Sequence, residues 1–123
     1  MKARLATYLL LLISVSTGCD VTDPGADGDV EVSLRSPNET DGAALLELVG
    51  PVRNVVMLDH GRLLTHTAGD STWVFVALET PGRIRFLVQL TPGGAVPSVS
   101  VIQVSDGDDR LRADLEDYSV RLR

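Results

Sequence analysis

The chain has 123 residues, eleven basic against seventeen acidic for a net charge of −6, a single cysteine and 4% aromatic residues. That length suits one domain. The acidic balance excludes a nucleic-acid binder, whose grip on phosphates comes from clustered Lys and Arg, and the lone Cys19 excludes a disulfide framework within one molecule.

At the N-terminus Lys2 and Arg4 form a short positive segment. Leu5 to Val15 is apolar except for Thr7 and Ser14, and Ser16, Thr17 and Gly18 are small. Positive charge, an apolar run and small residues, in that order, describe a secretory signal peptide. Eleven helical residues span about 16 Å, too little for a hydrocarbon core of about 30 Å. The expectation is therefore a leader over residues 1–18 rather than a permanent membrane span.

Cys19 follows the small residues directly. The stretch "STGC", Ser16 to Cys19, resembles the lipobox of bacterial lipoproteins, with Ser16 where that family usually carries leucine. The resemblance covers residues 1–20 only. It implies that a diacylglycerol is joined to the Cys19 thiol, that the chain is cut just before this residue, and that the new amino terminus is acylated. Cys19 is then the lipidation site and membrane lipid the first partner. Each buried methylene contributes about 0.8 kcal/mol, and two or more acyl chains anchor a protein stably where one is marginal. The implied address is the bacterial cell envelope, on its periplasmic or exterior side. Asp20 resembles the enterobacterial signal for staying in the inner membrane. Loss of Lys2 and Arg4 with the leader leaves nine basic residues, all arginine, against seventeen acidic, a net charge of −8. Such a domain gains nothing from an anionic membrane surface, so acyl chains rather than charge would hold it there.

Residues 19–29, within "CDVTDPGADGDVE", carry Asp20, Asp23, Asp27 and Asp29 with Pro24, Gly25 and Gly28. There is almost nothing apolar to bury, so the segment reads as a flexible acidic tether. Asp27, Asp29 and Glu31 alternate, but the glycine and glutamate that an EF-hand loop requires are out of register, which favours a solvated spacer over a metal site.

From Val30 the hydrophobic period becomes two. Val30, Val32 and Leu34 alternate with Glu31, Ser33 and Arg35, a half-buried strand. "SPNETDG" is a turn-rich loop, and its "NET" reads as a turn rather than a glycosylated site. "AALLELVG" reads as a strand, although Asp41 at one end and Gly50-Pro51 at the other would also suit a short helix. "VRNVVML" and "RLLTHT" flank Asp59-His60-Gly61 and read as a hairpin. "AGDS" turns the chain, and "WVFVAL", apolar on both faces, reads as a central strand. After "ETPG", a further turn, Ile84, Phe86, Val88 and Leu90 alternate with Arg83, Arg85 and Gln89. "TPGGAVP" is a longer loop, "SVSVIQVS" a strand and "DGDD" a turn. "LRADLED" fits a short helical turn or a poor strand, and in "YSVRLR" Tyr118, Val120 and Leu122 alternate with Ser119, Arg121 and Arg123.

Roughly seven to nine short strands separated by turn residues, with no long helix and no repeat, predict a small all-β sandwich over residues 30–123. The pattern resembles immunoglobulin-like and cohesin-like modules, without the signature disulfide of the former. The expected core is Leu34, Leu46, Leu48, Val56, Trp73, Phe75, Ile84, Phe86, Val101, Val104 and Val120.

Few residues carry a chemical signature. His60 and His66, with Asp59 and Asp70 near them, lack the spacing of a zinc site, and the favoured reading is an exposed turn histidine and a strand-face histidine. No G-x-S-x-G elbow is present, and Gly93-Gly94 lacks the G-K-[ST] of a phosphate loop. Trp73 would stack on a sugar if exposed, but its two-sided apolar strand places it in the core. Arg83, Arg85, Arg121 and Arg123 fall on the polar faces of two strands. If those strands are neighbours, four guanidinium groups form a ridge that docks a carboxylate or phosphate polymer or an acidic protein. The plainer reading is a solvated face whose charges protect sheet edges.

These readings converge on a membrane-anchored binding or scaffolding module of the cell envelope. Its expected partners are membrane lipid through Cys19 and an envelope protein or acidic polymer through the arginines, with no nucleic acid, metal, cofactor or catalysis. The alternative is a small envelope enzyme or inhibitor whose site is built by the "SPNETDG" and "TPGGAVP" loops, since loops carry such sites.

Overall fold

The computed structural model describes residues 28–123. Cys19, the leader and all but the last two residues of the tether lie outside them. Eight strands follow in order: β1 Asp29–Arg35, β2 Asp41–Val49, β3 Asn54–Met57, β4 Gly61–Ala68, β5 Ser71–Gly82, β6 Arg85–Gln89, β7 Ser98–Ser105 and β8 Ser119–Leu122. All pairings are antiparallel. One sheet has the order β3-β6-β1-β8 and the other β4-β5-β2-β7. The all-β sandwich expected from the period-two pattern is therefore the fold.

The pairing is nested. β4 pairs with β5, β3 with β6, β2 with β7 and β1 with β8, as if one long hairpin had been rolled into two layers. The additional pairs β1·β6 and β2·β5 close each layer. Only the β4–β5 link stays within a sheet, and every other link crosses the sandwich, which is jelly-roll winding. Gly69, with φ +62, takes the first central position of the β4–β5 turn, where a two-residue hairpin needs a positive φ.

Alternation decides which side chains meet. Val30, Val32 and Leu34 of β1, Ala44, Leu46 and Leu48 of β2, Val74 and Val76 of β5, Phe86 and Val88 of β6, and Val104 of β7 are buried with Ile84, Leu90 and Tyr118. Val101 and Val120 pack against this cluster. The "AALLELVG" segment is thus a strand, with Ala44, Leu46 and Leu48 spaced by two rather than on one helical face.

Several expectations are corrected. Val56 and Phe75 are each 38% exposed and Trp73 is only half-buried, so none belongs to the core. "WVFVAL" is indeed a central strand, but the sandwich covers one face of it, and Val74 and Val76 take the inward positions. The same inversion puts Val55 and Met57 of β3 against the core in place of Val56. The Asp59-His60-Gly61 segment is no hairpin, because β3 pairs with β6 and β4 with β5 in the opposite sheet. A short turn looks alike in sequence whether it folds back within a sheet or arches across the sandwich edge. "ETPG" is not a turn either, since β5 runs on through Gly82 to pair with Asp41. "LRADLED" forms no helix. It is irregular, with one isolated bridge from Leu111 to Ser105.

Candidate functional site

The outer face of the β3-β6-β1-β8 sheet gathers the arginines. Residues 29, 31, 33 and 35 of β1 point away from the core because 30, 32 and 34 point into it. β1 is the shared neighbour of β6 and β8, with Ser33 opposite both Arg85 and Arg121. Beyond the last β1·β6 pair, Ser33 with Arg85, the Leu34 N–H donates to the Ile84 carbonyl (3.0 Å), and Arg35 stands opposite Ser119 of β8. In the other direction Glu31 and Arg123 exchange backbone bonds of 3.1 and 3.0 Å. The resulting rows are Arg85–Ser33–Arg121 and Leu87–Glu31–Arg123, with Arg35 opposite Ser119 and Arg83 in the link before β6.

Three of the four arginines singled out in the sequence, Arg83, Arg121 and Arg123, line one groove of about 420 Å³ together with Arg35, Glu31, Ser33, Glu39 and Asp41. The fourth is engaged elsewhere. Arg85 donates through Nε (3.3 Å) and Nη2 (2.9 Å) to Asp59, and its Nη1 lies 3.5 Å from Glu31. The Asp59 hydrogen bond and charge raise the Arg85 pKa above its ordinary value, and Glu31 adds to the rise. The two strands are not neighbours, so the ridge expected from β6 and β8 alone is not continuous. β1 lies between them and brings a fifth arginine, Arg35, and an acid, Glu31. Arg35 was legible as a polar-face residue of the first strand; its membership of the site needed the strand order.

Among the described residues, Arg35, Arg83, Arg121 and Arg123 make no ion pair. Two of the groove's acids are engaged, Glu31 by Arg85 and Asp41 by Arg112. Glu39, in the "SPNETDG" loop at φ +68, is the acid of the groove without a partner. Among the described residues, four unpaired cations of the groove against one unpaired anion make a local positive field on a chain of net charge −6.

The floor is held by a buried network that the sequence did not reveal. Asp41, 1% exposed, accepts from the Tyr118 hydroxyl (2.8 Å) and from Arg112 Nε (3.2 Å) and Nη2 (3.1 Å). Asn38 Nδ2 donates to the Tyr118 oxygen (3.0 Å), and Arg112 Nη2 donates to the Thr40 carbonyl (3.3 Å). Burial by itself lowers the Arg112 pKa, but the Asp41 and Tyr118 contacts outweigh it and the net direction is upward. This network ties the "SPNETDG" loop to the segment before β8.

No family model, curated protein or solved structure matches this chain. The site is therefore read from its own chemistry.

The remaining candidates lie elsewhere. Asp59 and His60 line a second, shallower depression of about 560 Å³ with Glu79, Thr80, Arg83 and Arg85. His66 is in β4 opposite Trp73, on the outer face of the other sheet. Among the described residues no cluster of three or more His, Cys, Asp or Glu is arranged to hold a metal. Asp106 of "DGDD" accepts from the Asp108 and Arg110 N–H groups (2.8 and 3.0 Å), and the Arg110 and Asp108 bonds hold its pKa below the usual carboxylate value.

Proposed function

We propose that this chain is a lipid-anchored binding protein of the bacterial cell envelope, moored through Cys19, whose β-sandwich captures an anionic partner in the arginine groove. The observation that supports the reading is the collection, in one groove of an otherwise acidic chain, of four arginines that make no ion pair among the described residues. Guanidinium groups present planar forks of donors to carboxylate and phosphate oxygens. They are spread along the β1–β8 seam and the link before β6 rather than gathered about one point. An acidic polymer of the envelope, which offers repeated anions, fits that spread best.

Inorganic polyphosphate is the probe. Binding to the full chain carrying Cys19→Ser is expected to weaken steeply with added salt. Replacement of Arg35, Arg83, Arg121 and Arg123 by Ser is expected to weaken it by at least about tenfold, equivalent to roughly 1.4 kcal/mol. Equal binding by the two proteins rejects the groove as the site. Recovery of an acidic envelope protein by the unmodified chain, and not by the quadruple variant, would assign the same groove a protein partner.

The anchor has its own test. Cys19→Ser is expected to leave an uncut, lipid-free precursor that no longer fractionates with membranes. Processing at the same bond, with unchanged fractionation, would overturn the anchor and leave the groove standing.

A further inference from the structure

The opposite sheet carries an open edge. β4 is the outer strand of β4-β5-β2-β7, and seven of its eight residues are exposed. The Glu79 N–H donates to the His60 carbonyl (3.2 Å) in the register that pairs Gly61 with Leu78. Antiparallel ladders bond at every second pair. The backbone groups of Arg62, Leu64, His66 and Ala68 therefore face β5, and those of Gly61, Leu63, Thr65 and Thr67 face outward. Apart from Arg62 the strand has no charged residue, and it has no Pro and no bulge, so it carries few of the devices that usually protect such an edge. The other long edge, β7, is shielded at one end: Ser105 bridges to Leu111, and the Arg112 N–H donates to the Val104 carbonyl.

The face beside this edge is apolar and nearly uncharged. Leu64 of β4 is 62% exposed and stands opposite Phe75, which stands opposite Leu45 of β2. Trp73 lies in the next row, between His66 and Glu47. Across the four paired rows from Arg62 to Ala68, the outward residues of β4, β5 and β2 include one acid, Glu47, and one arginine, Arg62. Two copies of a chain of charge −6 repel one another over most of their surface, and this face is where they approach at least cost.

We infer that β4 pairs antiparallel with β4 of a second copy about a two-fold axis through Leu64, joining two four-stranded sheets into one of eight. The register follows from the free groups. With Leu64 opposite Leu64, Gly61 meets Thr67 and Leu63 meets Thr65, so every outward backbone group from Gly61 to Thr67 on each copy is paired. A shift by two residues leaves some of them unpaired. The Leu64 side chains meet on the axis at a non-bonded pair, where strands approach most closely. The row Leu45–Phe75–Leu64 then runs unbroken into its mirror in the partner. Because the axis is normal to the sheets, both arginine faces point the same way, which presents two grooves to one polymer and adds avidity.

The test uses the full chain with Cys19→Ser, which removes the native thiol. It is expected to sediment as a dimer at about 100 µM, and Leu64→Glu, which sets two like charges on the axis, raises the dimer dissociation constant at least about 100-fold. Thr65→Pro removes an N–H that bonds nothing within the subunit, so it should give a monomer with little change in Tm. If that proline prevents folding, Leu64→Glu alone decides the matter. Leu64→Cys should oxidise rapidly to a symmetric disulfide, and Ala68→Cys, which faces residue 60 in this register, should not. A parent chain that stays monomeric, a dimer that survives Leu64→Glu, or equal cross-linking at 64 and 68 overturns the proposal. Polyphosphate binding is not needed for any of these outcomes.

Discussion

Phe86→Ala is expected to destabilise the protein by about 3–5 kcal/mol, while Phe75→Ala costs about 1 kcal/mol or less. Both phenylalanines lie in β-strands next to valines, yet their surroundings differ. Phe86 is 1% exposed on β6, and its cross-strand neighbours on the inner face are Val32 of β1 and Met57 of β3. Truncation there loses the transfer free energy of the ring and leaves a cavity that two rigid sheets cannot collapse to fill. Phe75 is 38% exposed on the outer face of β5, where alanine leaves no cavity. Native stabilities are only about 5–15 kcal/mol, so the first change removes a large fraction of the total. Urea unfolding of both variants, read as midpoint shifts at constant m, measures the difference. Equal losses would mean that β5 presents the other face to the core.

Asp41→Ala is expected to cost about 2–3 kcal/mol, because it leaves the buried Tyr118 hydroxyl without its acceptor. Asp41→Asn keeps an oxygen within reach of that hydroxyl and should cost less than half as much. Tyr118→Phe leaves Asp41 held by Arg112 and should also be milder. The effect extends to the groove. Asp41 lines it, and the same network holds Asn38 and Thr40 of the loop that contributes Ser36 and Glu39 to its wall. Hydrogen exchange of the Ser36, Asn38, Glu39 and Thr40 amides should accelerate in Asp41→Ala at denaturant concentrations where the rest of the fold is intact. Unchanged protection with unchanged stability would remove the network from any role in shaping the groove.

Periodicity carried most of the fold. β1 and β8 alternate cleanly between apolar and polar residues, β6 does so except at the outward Leu87, and their inward faces are those that the alternation predicts. It failed in β5, where Trp73, Val74, Phe75 and Val76 are all apolar and a period of two cannot choose a face. The larger aromatic residues drew the assignment, but the core took the valines. It failed again at Asp59-His60-Gly61, because turn chemistry is local while membership of one sheet or the other depends on partners far along the chain. The candidate site shows the same division. The arginines were legible from residue type and alternation. That β1 lies between their strands, adding Arg35 and committing Arg85 to Asp59 and Glu31, was not. Asp41, an acid at the end of a loop-like stretch, gave no sign of being buried, since its partners Tyr118 and Arg112 come from the far end of the chain.

The most direct measurement is a titration of the isotopically labelled full chain, carrying Cys19→Ser, with inorganic polyphosphate, following backbone amides and arginine side chains by NMR. The predicted result is a set of saturable shifts at Arg35, Arg83, Arg121 and Arg123, with Ser33 among them and the Trp73 indole on the opposite face unmoved. Shifts scattered over the surface, or confined to the β4–β5 sheet, would contradict capture of an anion by the arginine groove.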